Sequence, residues 1–402
     1  MMLNLLRSIF GIPASHHAPV TGQRTQRRPR PAADGDWASL AKPDTQGTVT
    51  VYDPKGVSLR LNRGDEVAHG GEGVIYRFAR NNGILIKVCK KETLADASKP
   101  SLFRSRLNAM LMLEDCRNAD FLAWPLMPVM DKRGGAVGFV MRKCTGRTLR
   151  ALLAPVQVKR FFPCWNRIQV AQVALNFLDA VRMLAKHRVL VNDFNPGNFL
   201  VDGMGVVRLI DCDSFQLPVE GGEPFMTCTF TPEFTAPELL LHPELFNQPR
   251  TPEQVRFSLA VVIYMVLMSG LHPYARCGGG DPAENLKSGK CPLDKNSGVR
   301  MPVSWYKSVS WLTPGLKECF LKMFGEVFSH PAQSPLLGER RNELVHFIEV
   351  MKTSGSENQR QSCPQQQEEE MNMNDYAEET TLMSPIPRRD APSFSCWTRR
   401  EA

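Results

Sequence analysis

The 402-residue chain has no C-x-x-C pair, and its eleven cysteines stand singly and are odd in number. That argues against a disulfide framework and against structural zinc, and it predicts free thiols in a reducing cytoplasm. Long apolar runs are missing too. The run 257–271 (FSLAVVIYMVLMSGL) falls short of the roughly 18–20 residues that cross a bilayer, so it predicts a buried core helix and no transmembrane segment. The start, MMLNLLRSIFGI, carries one arginine and has neither a full apolar stretch nor a small-residue cleavage site. It is therefore not read as a signal peptide, with a membrane-surface helix as the alternative. Charge of one sign is scarce: the net value is only +8, and no Lys/Arg cluster is interleaved with aromatics. Nucleic acid is not expected as a partner.

What the chain does have is a hydrophobic content of 43%, enough for a substantial core. Residues 1–45 are rich in Pro, Gln, Arg and Ala and are expected to form a disordered arm; its basic cluster Arg24–Arg30 reads as a solvated tail. Residues 353–402 are Gln/Glu-rich and punctuated by proline, and disorder is expected there as well. Between them, 46–352 reads as one folded region in two styles. The first, 46–142, has short β-type runs at Thr48–Tyr52, Glu66–Ala68, Val74–Ala79, Ile84–Cys89 and Ala136–Met141, with one helix near Leu102–Cys116. The second, 143–352, is helical, with runs at Gln169–Lys186, Phe257–Leu271, Leu316–Phe328 and Glu339–Met351. A small β part joined to a larger helical part predicts an α+β fold with a ligand cleft between the two.

The richest stretch is Val191–Phe215, VNDFNPGNFLVDGMGVVRLIDCDSF. It holds Asp193, Asn198 and Asp211 between short apolar runs. One base and two oxygen ligands on a single loop–hairpin unit are what phosphoryl transfer from ATP needs, with Mg2+ as the ion. Asp213 adds a second acid beside Asp211, and two acids so close after an apolar strand suggest a cation site. Taken alone, Asn192–Asn198 is also a plausible Asx-turn loop. Upstream, Ala68, Gly70, Gly71, Gly73 and Ile75 lie on a Gly-rich turn whose N–H groups could cradle phosphate, although a plain Gly-Gly hairpin reads the same way. Lys87 follows on an apolar strand and calls for an anionic partner or a route to water. Ala236-Pro237-Glu238 comes later and carries weight only through its order after the other motifs.

In that order these elements resemble the protein kinase superfamily over roughly residues 60–350. The resemblance implies a two-lobed kinase fold that uses ATP and Mg2+ to phosphorylate Ser/Thr hydroxyls of a protein. It assigns the nucleotide to Ala68, Gly70, Gly71, Gly73, Ile75, Lys87 and Met141. Asp193 and Asn195 fall to the catalytic loop, Asn198, Asp211 and Asp213 to metal, and Ala236–Glu238 to the end of the activation segment. Asp-Phe-Asn-Pro-Gly-Asn, Leu-Ile-Asp-Cys-Asp-Ser-Phe and Phe-Ser-Leu-Ala…His-Pro-Tyr resemble more narrowly a divergent bacterial branch. That branch is associated with von Willebrand A proteins and PP2C-type phosphatases of tellurite-resistance-type systems, which implies such proteins as partners.

Several positions depart from the family pattern. The first loop glycine is Ala68. Val191-Asn192 replaces the His-Arg before the catalytic aspartate, which implies activity independent of activation-loop phosphorylation. Asn195 replaces a lysine and so removes a positive charge near the γ-phosphate. Cys212-Asp213 replaces Phe-Gly. Val255 stands where an aspartate would brace the catalytic loop. For the glutamate that pairs with Lys87, Glu92 and Glu114 are available, while the nearest helical register offers Ser105. These departures leave a pseudokinase scaffold open beside an active enzyme. The resemblance of Asp-Phe-Asn-Pro-Gly-Asn and Ile-Asp-Cys-Asp to loops of aminoglycoside- or choline-type kinases leaves a small-molecule kinase open as well.

Overall fold

The computed structural model describes residues 47–70, 72–90, 100–226, 229–325 and 335–355. The expected arm, all of the expected tail beyond residue 355, Gly71 and Glu92 lie outside the described residues. The described residues divide into two compact units, the first holding those up to 118 and 124–143, the second 119–123 and those from 144 on.

The first unit is built on an antiparallel sheet of seven strands. These are β1 (Val49–Tyr52), β2 (Ser58–Leu61), β3 (Glu66–His69), β4 (Gly73–Arg77), β5 (Ile84–Cys89), β6 (Pro125–Met130) and β7 (Ala136–Arg142), in the order β2-β1-β6-β7-β5-β4-β3. Branched and aromatic residues of β1, β4, β5, β6 and β7 form its core, with Val51, Ile86, Val129, Val137 and Val140 fully enclosed. β2 and β6 were not expected from the sequence. β6 contains two prolines, which cannot donate to a ladder. It tolerates them because it pairs with β1 only at Tyr52↔Met130 and bulges twice against β7.

The expected helix near 102–116 is two pieces, Pro100–Met112 and Glu114–Asn118, broken at Leu113. Trp124, fully buried, ties the first piece down by donating from Nε1 to the Met110 carbonyl at 2.9 Å.

The second unit is mostly helical around a small sheet of β8 (Arg147–Thr148), β9 (Phe199–Val201) and β10 (Val207–Leu209). The helix Arg167–Lys186 begins at a reciprocal cap: Ile168 N–H donates to Asn166 Oδ1 and Asn166 N–H donates to Gln169 Oε1. By length and composition this helix is apolar enough to cross a membrane, with half of that window buried within the protein. Val173, Phe177, Ala180, Val181 and Leu184 face the interior at helical spacing, as in a core helix.

The expected core helix from Phe257 starts earlier, at Pro252, and ends at Leu267. Thr251 caps it, Pro252 fits its first turn, and it is buried nearly all round, which explains its continuous apolar sequence. The run from Leu316 forms Pro314–Phe324 and the last run forms Leu337–Gly355.

Three hairpins turn on the same chemistry. Asp53, Asp131 and Asp202 each accept two backbone N–H groups on Oδ1, from residues two and four positions on, at 2.7–3.0 Å. Each turn is completed by a glycine with positive φ: Gly56, Gly134 and Gly205. The described cysteines depart from expectation at one place. Cys164 is disulfide-bonded, whereas Cys89, Cys116, Cys144, Cys212, Cys277, Cys291 and Cys319 form no disulfide. Pairing follows spatial approach, which isolated spacings do not encode.

Candidate active site

In the first unit, β3 and β4 form a hairpin with the Gly-rich turn at its tip, in the register Ala68↔Ile75 and His69↔Val74. Gly70 N–H donates to the Gly73 carbonyl at 2.9 Å and closes the turn. Gly73 is required by space, since a Cβ there would stand 2.6 Å from the Val88 carbonyl oxygen. Lys87 lies on β5 between Ile75 and Phe139. Its side chain is 7% exposed and its ammonium meets Glu72 of the Gly-rich turn at 3.6 Å. Glu114 pairs instead with Arg117, at 3.3 Å. Met141 pairs with Leu85 on β5 and is buried.

In the second unit, the residues expected on the catalytic loop and the metal come together on one hairpin. Leu190 bridges Gln216 on one side, and Phe194 drops into the core against Phe177 and Phe199, with ring centroids 6.2 and 6.0 Å away. This anchors the loop on both sides of Asp193. Asn195 caps the one-turn helix Pro196–Asn198, its Oδ1 accepting from Gly197 N–H at 2.9 Å. Asn198 then enters β9. Its carbonyl accepts from Ile210 N–H at 2.9 Å, which sets Asn198 beside the end of β10 and so beside Asp211.

Asp211 is in the left-handed backbone region, at φ 58° and ψ 37°. That conformation reverses the chain and starts the turn Cys212–Ser214, locked by Ser214 Oγ donating to the Asp211 carbonyl at 2.8 Å. Carboxylate oxygens of Asp211 and Asp213 lie within 4.8 Å of one another. Cys212, between them, is buried and turns its thiol to the Leu209 carbonyl. The set of Asn198, Asp211 and Asp213 offers hard oxygen donors, which suit a cation such as Mg2+.

Asp193 is held from three directions. Its Oδ1 accepts from Asn195 N–H at 3.2 Å and from Thr231 Oγ1 at 2.7 Å, and its Oδ2 faces Asn198 Nδ2 at 3.5 Å. Thr231 belongs to the segment ahead of Ala236–Glu238, where Thr235 Oγ1 donates back to the Thr231 carbonyl at 2.8 Å. His272 fixes the same segment through a 2.8 Å contact between Nε2 and the Glu233 carbonyl; burial lowers its pKa to about 4, so the ring is neutral. Burial raises the Glu233 carboxyl, an effect opposed by Arg150 and reinforced by Asp193. Burial likewise raises Glu238, which Gln254 and Arg250 counter.

Three contributors were not legible as site residues. Thr231 precedes a Pro-Glu pair and carries no local signal of its reach to Asp193. Val255 is buried and apolar, and a polar tie near the start of its helix comes from Gln216. Its amide accepts Arg250 N–H at 2.7 Å and donates to the Arg250 carbonyl at 3.1 Å, which ties the strand after Asp211 to the entry of the Pro252–Leu267 helix. Arg150 donates from Nη2 to Asn195 Oδ1 at 2.6 Å. Asn195 itself supplies no positive charge, and a guanidinium from another segment lies against it.

A family model described as the protein kinase domain matches residues 62–366. Protein kinase YegI of Escherichia coli O157:H7 is 31% identical over 230 residues, which is 56% of this chain and 34% of that protein; its counterpart in strain K12 is 30% identical over 231 residues. Calcium-dependent protein kinase 20 of rice is 25% identical over 254 residues, 60% of this chain and 42% of that protein. The chain thus spans about a third of the length of the bacterial relatives it matches.

Proposed function

The chain belongs to the protein kinase family, and we propose that it transfers the terminal phosphoryl group of ATP, with Mg2+, to serine and threonine hydroxyls of a protein. The observation that carries this reading is the 2.7 Å hydrogen bond from Thr231 Oγ1 to Asp193 Oδ1. It holds the segment before Ala236–Glu238 within one short side chain of the carboxylate. A substrate backbone lying along that segment reaches Asp193 with an aliphatic hydroxyl. A phenol, whose oxygen stands several ångströms farther from its backbone, would overshoot.

In this reading Asp193 takes the proton of the acceptor hydroxyl as its oxygen attacks. Asn198, Asp211 and Asp213 would hold Mg2+, which when bound offsets the charge on the phosphate oxygens. Lys87 and the Gly-rich turn of Gly70 and Gly73 would bind phosphate, and Ala68, Ile75 and Met141 would contact the rest of the nucleotide. A cytoplasmic setting is part of the proposal; the seven described cysteines outside any disulfide support it, and the Cys164 disulfide runs against it. So is membership of the bacterial branch whose partners are a von Willebrand A protein and a PP2C-type phosphatase; co-purification with full-length protein from native cells tests that part.

The test is incorporation of labelled phosphate from Mg-ATP by wild type, Asp193→Asn and Asp211→Asn, followed by acid hydrolysis to phosphoamino acids. Loss of about 10³-fold in each variant is expected, with phosphoserine and phosphothreonine as products. Equal incorporation by all three proteins sinks the enzyme reading, and phosphotyrosine alone sinks the specificity. The Lys87–Glu72 contact favours a second reading, a nucleotide-binding scaffold in which the Gly-rich turn engages the lysine. Mg-ATP binding without any Asp193-dependent turnover would select it.

A further inference from the structure

We propose that Arg150 is a positioning residue that gives the catalytic loop the positive charge Asn195 does not carry, an inference that rests on the kinase reading above. Arg150 sits on the one-turn helix Leu149–Leu153, where Leu149, Ala151 and Leu152 are buried and fix the backbone. Its own side chain is half-buried and runs along the loop. Nη2 donates to Asn195 Oδ1 at 2.6 Å, the atom that also accepts Gly197 N–H.

The fit is close. A Cβ added at Gly197 would lie 3.2 Å from Asn195 Oδ1 and 3.4 Å from Arg150 Nε, so a larger residue there would press on the oxygen that the guanidinium uses. From Asn195 the connection runs one bond further, through its N–H to Asp193 Oδ1 at 3.2 Å. Asp193 and Glu233 place two carboxylates in this neighbourhood, and Arg150 is the cation that acts on Glu233.

A guanidinium carries several donors in a planar fork, so one bond to Asn195 does not exhaust it. Fixed there before substrate arrives, its charge opposes the negative charge of the two carboxylates and of the phosphoryl group in transfer. Asn195 then serves as an adaptor. It is short enough to cap Pro196–Asn198, and its carbonyl oxygen holds an arginine supplied from 45 residues upstream.

The experiment separates charge from shape and uses the full-length chain with Mg-ATP. Arg150→Gln keeps a donor for Asn195 but removes the charge. It is expected to lower kcat on the order of 10- to 100-fold with the KM for ATP changed less than about threefold. Arg150→Lys should recover most of the loss. The double variant Arg150→Gln/Asn195→Lys, which puts a lysine at the family position, should regain at least about tenfold over Arg150→Gln alone. An active wild type that is indifferent to Arg150→Gln, while Asp193→Asn is inactive, overturns this proposal and leaves the kinase reading standing. A loss that Arg150→Lys and Asn195→Lys both fail to restore also overturns it, because the arginine is then only a packing element. A wild type without Asp193-dependent transfer removes both.

Discussion

Single residues in this protein are constrained by neighbours on both sides of a strand. β5 carries Lys87, and glycines flank it: Gly73 on β4 and Gly138 on β7. A Cβ at Gly138 would collide with the Lys87 carbonyl oxygen, which lies in the middle of the β5–β7 ladder. Gly138→Ala therefore has to spread two paired strands. We expect a loss of about 1–3 kcal/mol in urea-monitored unfolding, together with weaker ATP binding in a titration, because the same backbone carries Lys87. Gln216 is constrained differently, by two hydrogen bonds to the buried backbone of Arg250. Gln216→Ala leaves that N–H and carbonyl without these partners and should cost about 2–4 kcal/mol. Gln216→Glu keeps one acceptor and should fall between, and thermal unfolding of the three proteins orders them.

Among whole elements, the hairpins show what the sequence reveals and what it hides. Asp-x-x-Gly at Asp53, Asp131 and Asp202 is a local signal, because the aspartate that closes the turn and the glycine that permits positive φ lie within four positions. Asp131→Ala removes two backbone contacts from a nearly buried turn and should lower stability by about 1–3 kcal/mol, whereas Asp131→Asn should keep most of it. Equal unfolding midpoints for Ala and wild type would contradict this.

Strands β4, β5 and β7 were legible because apolar residues crowd between turn signals. β6 was not, because Pro125 and Pro128 read as breakers, and only tertiary pairing shows that the edge toward β1 is mostly unpaired. The order of Asp193, Asn198 and Asp211 was legible for a related reason: one hairpin carries all three. Thr231, Arg150 and Gln216 were not, since each acts across 34–45 residues of chain and no local period encodes such contacts.

On the scale of the whole molecule, stability should respond to pH through His272. Its folded pKa, about 4, lies below the ordinary value of 6.5. Between those values an unfolded chain binds a proton that the folded one refuses, so stability is full above about pH 6.5 and falls as pH drops toward 4. The size is on the order of 3 kcal/mol, and His272→Asn should flatten that slope in melts between pH 4 and 7. Ligand linkage supplies a second whole-molecule readout. Mg-ATP at about 100 times its Kd should stabilise the protein by about 2.7 kcal/mol, and Asp211→Asn should lose the magnesium-dependent share. That variant has a further use, which follows from the left-handed backbone at residue 211. Asparagine enters this region with little penalty, unlike most side chains, so Asp211→Asn removes the charge while the turn keeps its shape. The inert protein becomes a natural bait: it should retain its acceptor-side surface and hold a client it cannot release as product, so that crosslinking and mass spectrometry can read out who the client is.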